Sequence, residues 1–161
     1  MITHLRINNR LIHGQVAVMW RSNVSADAII VCNDKVAADP IQKMALPLAC
    51  KGEKVLIMTI DELISYDKEN PDEKKFVICK YPSDCLELLK KGLEIERVNV
   101  GNAAPMPGTD FKMVTRSISA TPEDAAIYRE IADLRGGVLE TQMIPTDAKE
   151  DFLALLKKAG L

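Results

Sequence analysis

No stretch of this 161-residue chain approaches the ~20 consecutive apolar residues that a membrane-spanning helix needs. Nor is there a surplus of one charge. Lys and Arg number 21 against 23 for Asp and Glu, a formal net charge of −2, so the basic excess of most nucleic-acid binders is missing. Met1 to Arg10 lacks the charged-then-apolar layout of a secretory signal peptide. None of the four cysteines, Cys32, Cys50, Cys79 and Cys85, forms a C-x-x-C pair, and with only two histidines, His4 and His13, no metal site is expected. Internal repeats, low-complexity segments and composition shifts are absent, so a single domain over residues 1–161 is expected. What is present is a globular balance, 47% hydrophobic and 27% charged, which excludes a disordered chain. A chain this long buries roughly 70% of its unfolded surface and needs no staples. Cys32 and Cys79 lie inside apolar runs and read as reduced, buried core residues.

Short apolar runs alternate with capped helical patterns. Leu5 to Ile7, Ala28 to Cys32, Val55 to Met58, Phe76 to Cys79 and Arg97 to Val100 read as strands, and their continuous apolar character suggests burial on both faces of a parallel sheet. Asp39-Pro40, Pro82-Ser83-Asp84 and Thr121-Pro122-Glu123-Asp124 carry helix-start signals, and Gly92 and Gly136-Gly137 supply stops. Val138 to Ile144 reads as one more strand. Asp147 to Glu150 has capping-box spacing for a last helix with Phe152, Leu153, Leu155 and Leu156 inward. Gly101 to Lys112 reads as a loop between strands. The fold class expected is α/β, an open, mostly parallel twisted sheet with helices on both faces.

Ligands of such sheets sit beyond the carboxyl ends of the strands. The first such end is Asn8-Asn9-Arg10-Leu11-Ile12-His13-Gly14-Gln15, followed by a helical pattern with Val16, Met19 and Trp20 on one face. His13 then falls on a loop or a first helical turn, with Arg10 three residues before it and the small Gly14 beside it. An imidazole, with an ordinary pKa of about 6.5, is a good nucleophile at cell pH. Helix N-terminal N–H groups and a guanidinium both favour an anion. A nucleophilic nitrogen inside an anion site is what transient phosphorylation on histidine requires, because the phosphoryl transition state is loose and is stabilised mainly by position and positive charge. By spacing alone, a lone histidine beside a helix start is more often a capping or packing residue than a nucleophile, Arg10 fits an ordinary surface pair and Gly14 fits a turn residue. His4 alternates to the side opposite Leu5 and Ile7 and reads as structural; Trp20, four residues after Val16, reads as packed on the sheet.

Arg6-Ile7-Asn8-Asn9-Arg10-Leu11-Ile12-His13-Gly14-Gln15-Val16, followed by Trp20, resembles the active-site segment of the IIB subunits of the mannose-type sugar phosphotransferase system, the group covering mannose, fructose, sorbose and N-acetylgalactosamine. Val31-Cys32-Asn33-Asp34-Lys35-Val36-Ala37-Ala38-Asp39 and Val98-Asn99-Val100-Gly101-Asn102 are similar to two further segments of that family, and the resemblance spans essentially the whole chain. It implies a cytoplasmic phosphocarrier, peripherally associated with a membrane transporter complex and working without a cofactor. It implies that His13 accepts a phosphoryl group from a phosphohistidine IIA partner, which uses Nε2 where the IIB acceptor is usually Nδ1. The group then passes to a sugar held by membrane IIC and IID subunits. Arg10 is expected to steady the phosphoryl group, with the backbone N–H groups of Gly14 and Gln15 contributing. The family commonly has Asp where Asn8 stands; an amide there orients the ring without repelling phosphate.

Asn33, Asp34, Lys80, Gly101 and Asn102 lie at predicted ends of other strands and are expected rim residues. Turn chemistry is the other reading for Asn33 and Asp34, and a solvated lysine for Lys80. Two histidines that exchange phosphate must meet nearly in line, so a shallow, open surface is expected, with Leu11, Met19 and Pro105-Met106-Pro107 as docking residues. The Ile78-Cys79-Lys80-Tyr81-Pro82-Ser83-Asp84 and Val98 to Asn102 segments look most like the N-acetylgalactosamine or galactosamine branch. Met1 directly before the first strand leads to the expectation of a separate polypeptide. The alternative function is a non-catalytic regulatory or binding domain on the same doubly wound fold, or a degenerate subunit that binds IIA without transferring phosphate. A receiver domain needs acidic residues where Asn8 and Asn9 stand, and a dinucleotide-binding domain needs a Gly-rich first turn where only Gly14 is found.

Overall fold

The computed structural model describes residues 1–161. In chain order the elements are β1 (Ile2–Asn8), α1 (Gln15–Asn23), β2 (Ala28–Cys32), α2 (Asp34–Ala38), α3 (Pro40–Ala45), a 3-10 turn over Leu46–Cys50, β3 (Val55–Met58), α4 (Ile60–Glu69), β4 (Lys75–Cys79), α5 (Pro82–Lys90) and β5 (Val98–Asn102). There follow a short hairpin of β6 (Lys112–Met113) and β7 (Ser119–Ala120), then α6 (Pro122–Leu134), β8 (Glu140–Thr141), β9 (Glu150–Asp151) and α7 (Phe152–Lys158). Seven strands form one sheet in the order β3-β2-β4-β1-β5-β8-β9, parallel throughout except for the β8–β9 edge pair. The open, mostly parallel sheet expected from the sequence is therefore the fold.

Both faces are covered, as the unbroken apolar runs require; every residue of β2 and β4 is buried. On one face Ile60 and Leu63 of α4, Cys85 and Leu88 of α5, Tyr128 and Ile131 of α6 and Phe152 and Leu156 of α7 pack on Leu5, Ile7, Val77 and Val100. On the other, Ala17 and Trp20 of α1, Val36 of α2 and Cys50 pack on Ile29, Val31, Phe76 and Ile78. All four cysteines are free and buried. The period-2 alternation of β1 sends Leu5 and Ile7 to the first face and His4, Arg6 and Asn8 to the second. There the His4 ring stacks on Trp20 with centroids 4.8 Å apart and meets Phe76 edge-on at 5.7 Å.

Several boundaries differ from those expected of the sequence. The strand expected over Val138 to Ile144 shrinks to Glu140–Thr141, because Gly136 and Gly137, with φ of 74° and 87°, carry the chain out of α6 in an open turn that leaves Val138 exposed. The last helix starts at Phe152, not within Asp147 to Glu150: the Asp151 carboxylate accepts from the Leu153 and Ala154 N–H groups, and Glu150 pairs with β8 instead. Helix α4 is an addition to the expected elements, although Thr59 and Glu62 form a reciprocal capping box at its start. The loop expected over Gly101 to Lys112 is shorter, because β5 runs to Asn102 and β6 begins at Lys112.

His4 generates a pH prediction. Burial, with the Arg6, Arg97 and Lys149 charges adding to it, lowers its pKa from the ordinary value of 6.5 to about 3. The unfolded chain therefore binds more protons at this site between those two values. The resulting stability is present above pH ~6.5 and is lost as pH falls toward ~3. His4→Phe keeps a ring against Trp20 and removes the titrating group. Urea midpoints measured at pH 7 and pH 4.5 are expected to fall less in the variant than in the wild type; parallel losses would mean that the imidazole is not buried in its neutral form.

Candidate functional site

The segment after β1 is shaped by its own amides. The Asn8 side chain accepts from the Arg10 N–H at 3.0 Å and donates to the Leu11 carbonyl at 3.1 Å, while the Leu11 N–H donates to the Asn8 carbonyl at 3.0 Å. Leu11 adopts a positive φ of 58° inside this turn, and both Leu11 and Ile12 bury their side chains in the core on the α1 face. With those two anchored inward, His13 is left exposed at the next position. Gly14 follows at φ 57° and ψ −144°, a conformation that strains any residue with a Cβ, and serves as the N-cap of α1.

Helix α1 has no side-chain cap and no acidic residue in its first turn. The starts of α4, α5 and α6, by contrast, receive the carboxylates of Glu62, Asp84 and Asp124. The free N–H groups and partial positive charge of the α1 start thus lie next to His13 without an internal counter-charge.

Strand β5 supplies the other side. The Asn9 side chain donates to the Ala104 carbonyl and accepts from the Ala104 N–H, both at 3.0 Å, and the Asn9 N–H donates to the Asn102 carbonyl at 3.2 Å. The chain leaves β1 toward β2 and leaves β5 toward β8, so these adjacent strands diverge and a crevice opens at their carboxyl ends. A cavity of about 390 Å³ occupies it, lined by Arg6, Asn8, Arg10, His13, Asn102 and Arg116, with Val16, Met113 and Met143 among its apolar residues. No Asp or Glu lines it. The Asn102 Oδ1 is buried without a hydrogen-bond partner.

Beneath this cavity Arg6 is only 2% exposed. Its guanidinium donates to the Gln142 carbonyl at 2.8 Å and the Met143 carbonyl at 2.9 Å, and lies 5.2 Å from the centre of the Trp20 ring. The Trp20 indole N–H donates to the same Met143 carbonyl at 3.1 Å. Burial lowers the Arg6 pKa to about 10, so it stays charged at neutral pH. Its hydrogen-bond acceptors are dipoles, not carboxylates, and its charge is left to act on the cavity above.

Of the residues singled out in the sequence, Asn8, Arg10, His13 and Asn102 meet in one cavity, and Gly14 and Gln15 stand at the exposed helix start beside it. The rest of the expected rim is placed elsewhere. Asn33 accepts from the Val36 N–H and donates to both oxygens of Asp84, tying β2 to the start of α5. Asp34 accepts from the Ile60 N–H at the start of α4. Strand β2 is two places from β1 in the sheet, roughly 10 Å away, which keeps both out of reach of His13.

Lys80 lies over the Tyr81 ring in a separate cavity with Ile7 and Tyr128, on the opposite face of the sheet. Gly101 gives clearance to Arg6: a Cβ there would stand 2.2 Å from its Cζ. Asn8 holds the loop backbone rather than the His13 ring, and Leu11 is buried rather than part of a docking rim, because the positive-φ turn directs it inward. Met19 and Met106 are exposed as expected, and Met113 and Met143 join them. Arg6 is within reach of sequence reasoning, since it shares a face of β1 with Asn8. Arg116 and Met143 carry no local signal and reach His13 only through the tertiary fold.

Comparison with known proteins agrees along the whole chain. The family described as PTS system sorbose subfamily IIB component matches residues 2–161. The sorbose-specific EIIB component of Klebsiella pneumoniae is 32% identical over 155 residues, covering 94% of this chain and 93% of that protein. The N-acetylgalactosamine-specific IIB component 2 of Escherichia coli K12 is 34% identical over 155 residues, covering 94% and 96%. The mannose-specific EIIAB component of Escherichia coli K12 is 32% identical over 157 residues, with this chain spanning 47% of that longer protein. Among solved structures, the IIBSor domain of the Klebsiella pneumoniae sorbose permease superposes with a TM-score of 0.89 at 31% identity, covering 98% of this chain and 97% of that one.

Two substitutions test the architecture of the site. Gly101→Ala forces the buried Arg6 guanidinium out of the space between Trp20 and the two carbonyls, at an expected cost of about 2–3 kcal/mol in urea unfolding. A changed Trp20 fluorescence spectrum is expected with it. Asn8→Asp keeps the acceptor for the Arg10 N–H but sets a carboxylate against the Leu11 carbonyl, and is expected to cost about 1 kcal/mol in the same measurement.

Proposed function

The chain belongs to the sorbose subfamily of phosphotransferase-system IIB components, and from that membership we propose that residues 1–161 act as a single cytoplasmic phosphocarrier domain with His13 as the covalent acceptor. In this reading His13 takes a phosphoryl group from the phosphohistidine of a IIA partner. It then gives that group to a sugar held by membrane IIC and IID subunits, without a cofactor. The observation that carries the reading is an exposed imidazole at the mouth of a cavity that three guanidiniums line and no carboxylate enters, beside an uncapped helix start. The kinship to a IIAB protein supports the IIA partner. No helix is long and apolar enough to cross a membrane.

The chemistry balances simply. The unprotonated ring nitrogen of His13 attacks phosphorus, and the P–N bond to the donor imidazole breaks as the new one forms. The donor nitrogen keeps the electron pair, and no oxidation state changes. Nδ1 is the accepting atom on the family pattern. Arg10 and the first N–H groups of α1, at Gln15 and beyond, neutralise charge on the equatorial oxygens, which is where a loose transition state needs it. Asn8 contributes by fixing the backbone between Arg10 and Leu11, and Asn102 by offering an amide to the ring or its phosphoryl group. For the sugar, the amino-sugar branch rests on the Ile78 to Asp84 and Val98 to Asn102 segments. The relatives named for sorbose and for N-acetylgalactosamine lie at 32% and 34% identity and do not separate the two.

Incubation with a phosphorylated IIA protein is expected to load acid-labile phosphate on the wild type and on His4→Phe, and none on His13→Ala. Arg10→Gln is expected to slow loading about 100-fold. Loading of His13→Ala together with an unloaded, folded His4→Phe would mean that the wrong histidine was assigned.

A further inference from the structure

We infer that Arg116 is a second phosphoryl-binding residue, a guanidinium that reaches the phosphoryl oxygens on modified His13 from the β5 side of the cavity while Arg10 reaches from the β1 side. The inference deepens the reading of His13 as the acceptor and rests on it.

The chain has seven arginines. Arg21 pairs with Glu53, Arg6 and Arg135 donate to backbone carbonyls, and Arg129 donates to Leu161. Arg97 is exposed just before β5, at the end of that strand remote from the cavity. Arg10 and Arg116 have neither an ion pair nor a side-chain hydrogen bond, and both line the His13 cavity. Arg116 also borders a neighbouring groove that contains Asp147 and Glu150, yet it forms a salt bridge with neither. Acidic residues are therefore nearby on its other side, and the guanidinium is still unpaired.

The backbone beneath it is tightly held. Arg116 sits at the turn of the β6–β7 hairpin, where the Val114 and Thr115 N–H groups both donate to the Ile118 carbonyl, at 2.8 and 3.2 Å, and the Ser117 N–H donates to Thr115 Oγ1 at 3.2 Å. The Ala103 N–H donates to the Ser117 carbonyl at 2.9 Å, and Ala103 bridges to Ile118, so the turn is fastened to the chain just beyond β5. One residue further on, Ala104 is clamped to Asn9 of the His13 segment. The hairpin turn and the phosphoryl acceptor are thus held in a fixed relation by hydrogen bonds that do not involve the Arg116 side chain, which is exposed and contributes nothing visible to folding.

Three guanidiniums around one cavity without a carboxylate repel one another, and an anion of high charge relieves that repulsion. A phosphoryl group carries a charge of about −1.5 to −2 at neutral pH and offers three acceptor oxygens. Arg6 is engaged by carbonyls below, which leaves Arg10, the first N–H groups of α1 and Arg116 as the donors free to meet those oxygens. The planar fork of Arg116 adds paired donors from the β5 side.

The test separates phosphoryl binding from partner docking by loading the protein with phosphoramidate, a small donor that has no docking surface. Wild type, R116Q, R116K and His13→Ala are loaded, and phosphohistidine is followed by phosphorus NMR. R116Q is expected to load about tenfold more slowly. Its phosphohistidine is expected to titrate about one pH unit higher than in the wild type, because a neighbouring cation favours the dianion. R116K, which keeps the charge without the fork, should lie between. Equal loading rates and equal titration midpoints for wild type and R116Q overturn the inference. So does a defect confined to loading from a phosphorylated IIA protein, which would make Arg116 a docking residue. Loading of His13→Ala at the wild-type rate would instead strike the assignment of His13, and the inference with it.

Discussion

A positive charge buried without a matching negative one is the constraint on which the rest of this structure depends. Arg6 lies almost wholly out of water on the central strand of the sheet, and its hydrogen bonds run to the carbonyls of Gln142 and Met143. Burying an ion in this way is costly unless its donors are satisfied and its surroundings are polarisable. Much of the local architecture reads as the means of meeting that cost. Trp20 lies against the guanidinium and shares the Met143 carbonyl, Gly101 leaves room where any side chain would collide, and β8 brings residues 142 and 143 into position. A carboxylate in place of the carbonyls would satisfy Arg6 more fully, and would cancel the field it projects into the cavity above.

The sheet order turns that field into a site. β1 and β5 are neighbours, but the chain leaves them in opposite directions, and the crevice between their ends receives the loop that carries His13. Two asparagines divide the task of shaping it. Asn8 folds the loop on itself, and Asn9, on the other face of the strand, locks it to Ala104. Both work through backbone groups, so the loop is set before any ligand arrives, which is the condition for electrostatic stabilisation without reorganisation.

The sequence is most legible where one physical rule acts alone. Burial on both faces makes β2 and β4 visible as apolar runs, and period-2 alternation is enough to place His4 opposite Leu5 and Ile7. It is least legible where two rules compete. Asp147 to Glu150 has the spacing of a helix start, but Glu150 is drawn into an edge strand and Asp151 becomes the cap. At the site, the contiguous segment from Asn8 to Gln15 can be read as one unit because its residues are neighbours in the chain. Asn33, Asp34 and Lys80 do not join it, because strand ends that share one side of a sheet need not be near one another; strand order and face decide which of them meet. Arg116 lies 103 positions from His13, and only the pairing of its hairpin with the end of β5 brings it into the same cavity.

The exposed methionines have a consequence of their own. Met19, Met106, Met113 and Met143 all leave much of their surface open, and the last two border the His13 cavity. Methionine is unbranched and polarisable, and one such side chain moulds itself to differently shaped counterparts at little energetic cost. In the proposed role, the protein touches a giver and a receiver in succession and must release each. Two supple thioethers, Met113 and Met143, at the edge of a stiff, charged centre suit that duty: the centre stays fixed while its edge remoulds itself, so tolerance toward two unlike surfaces need not blur the geometry within the cavity.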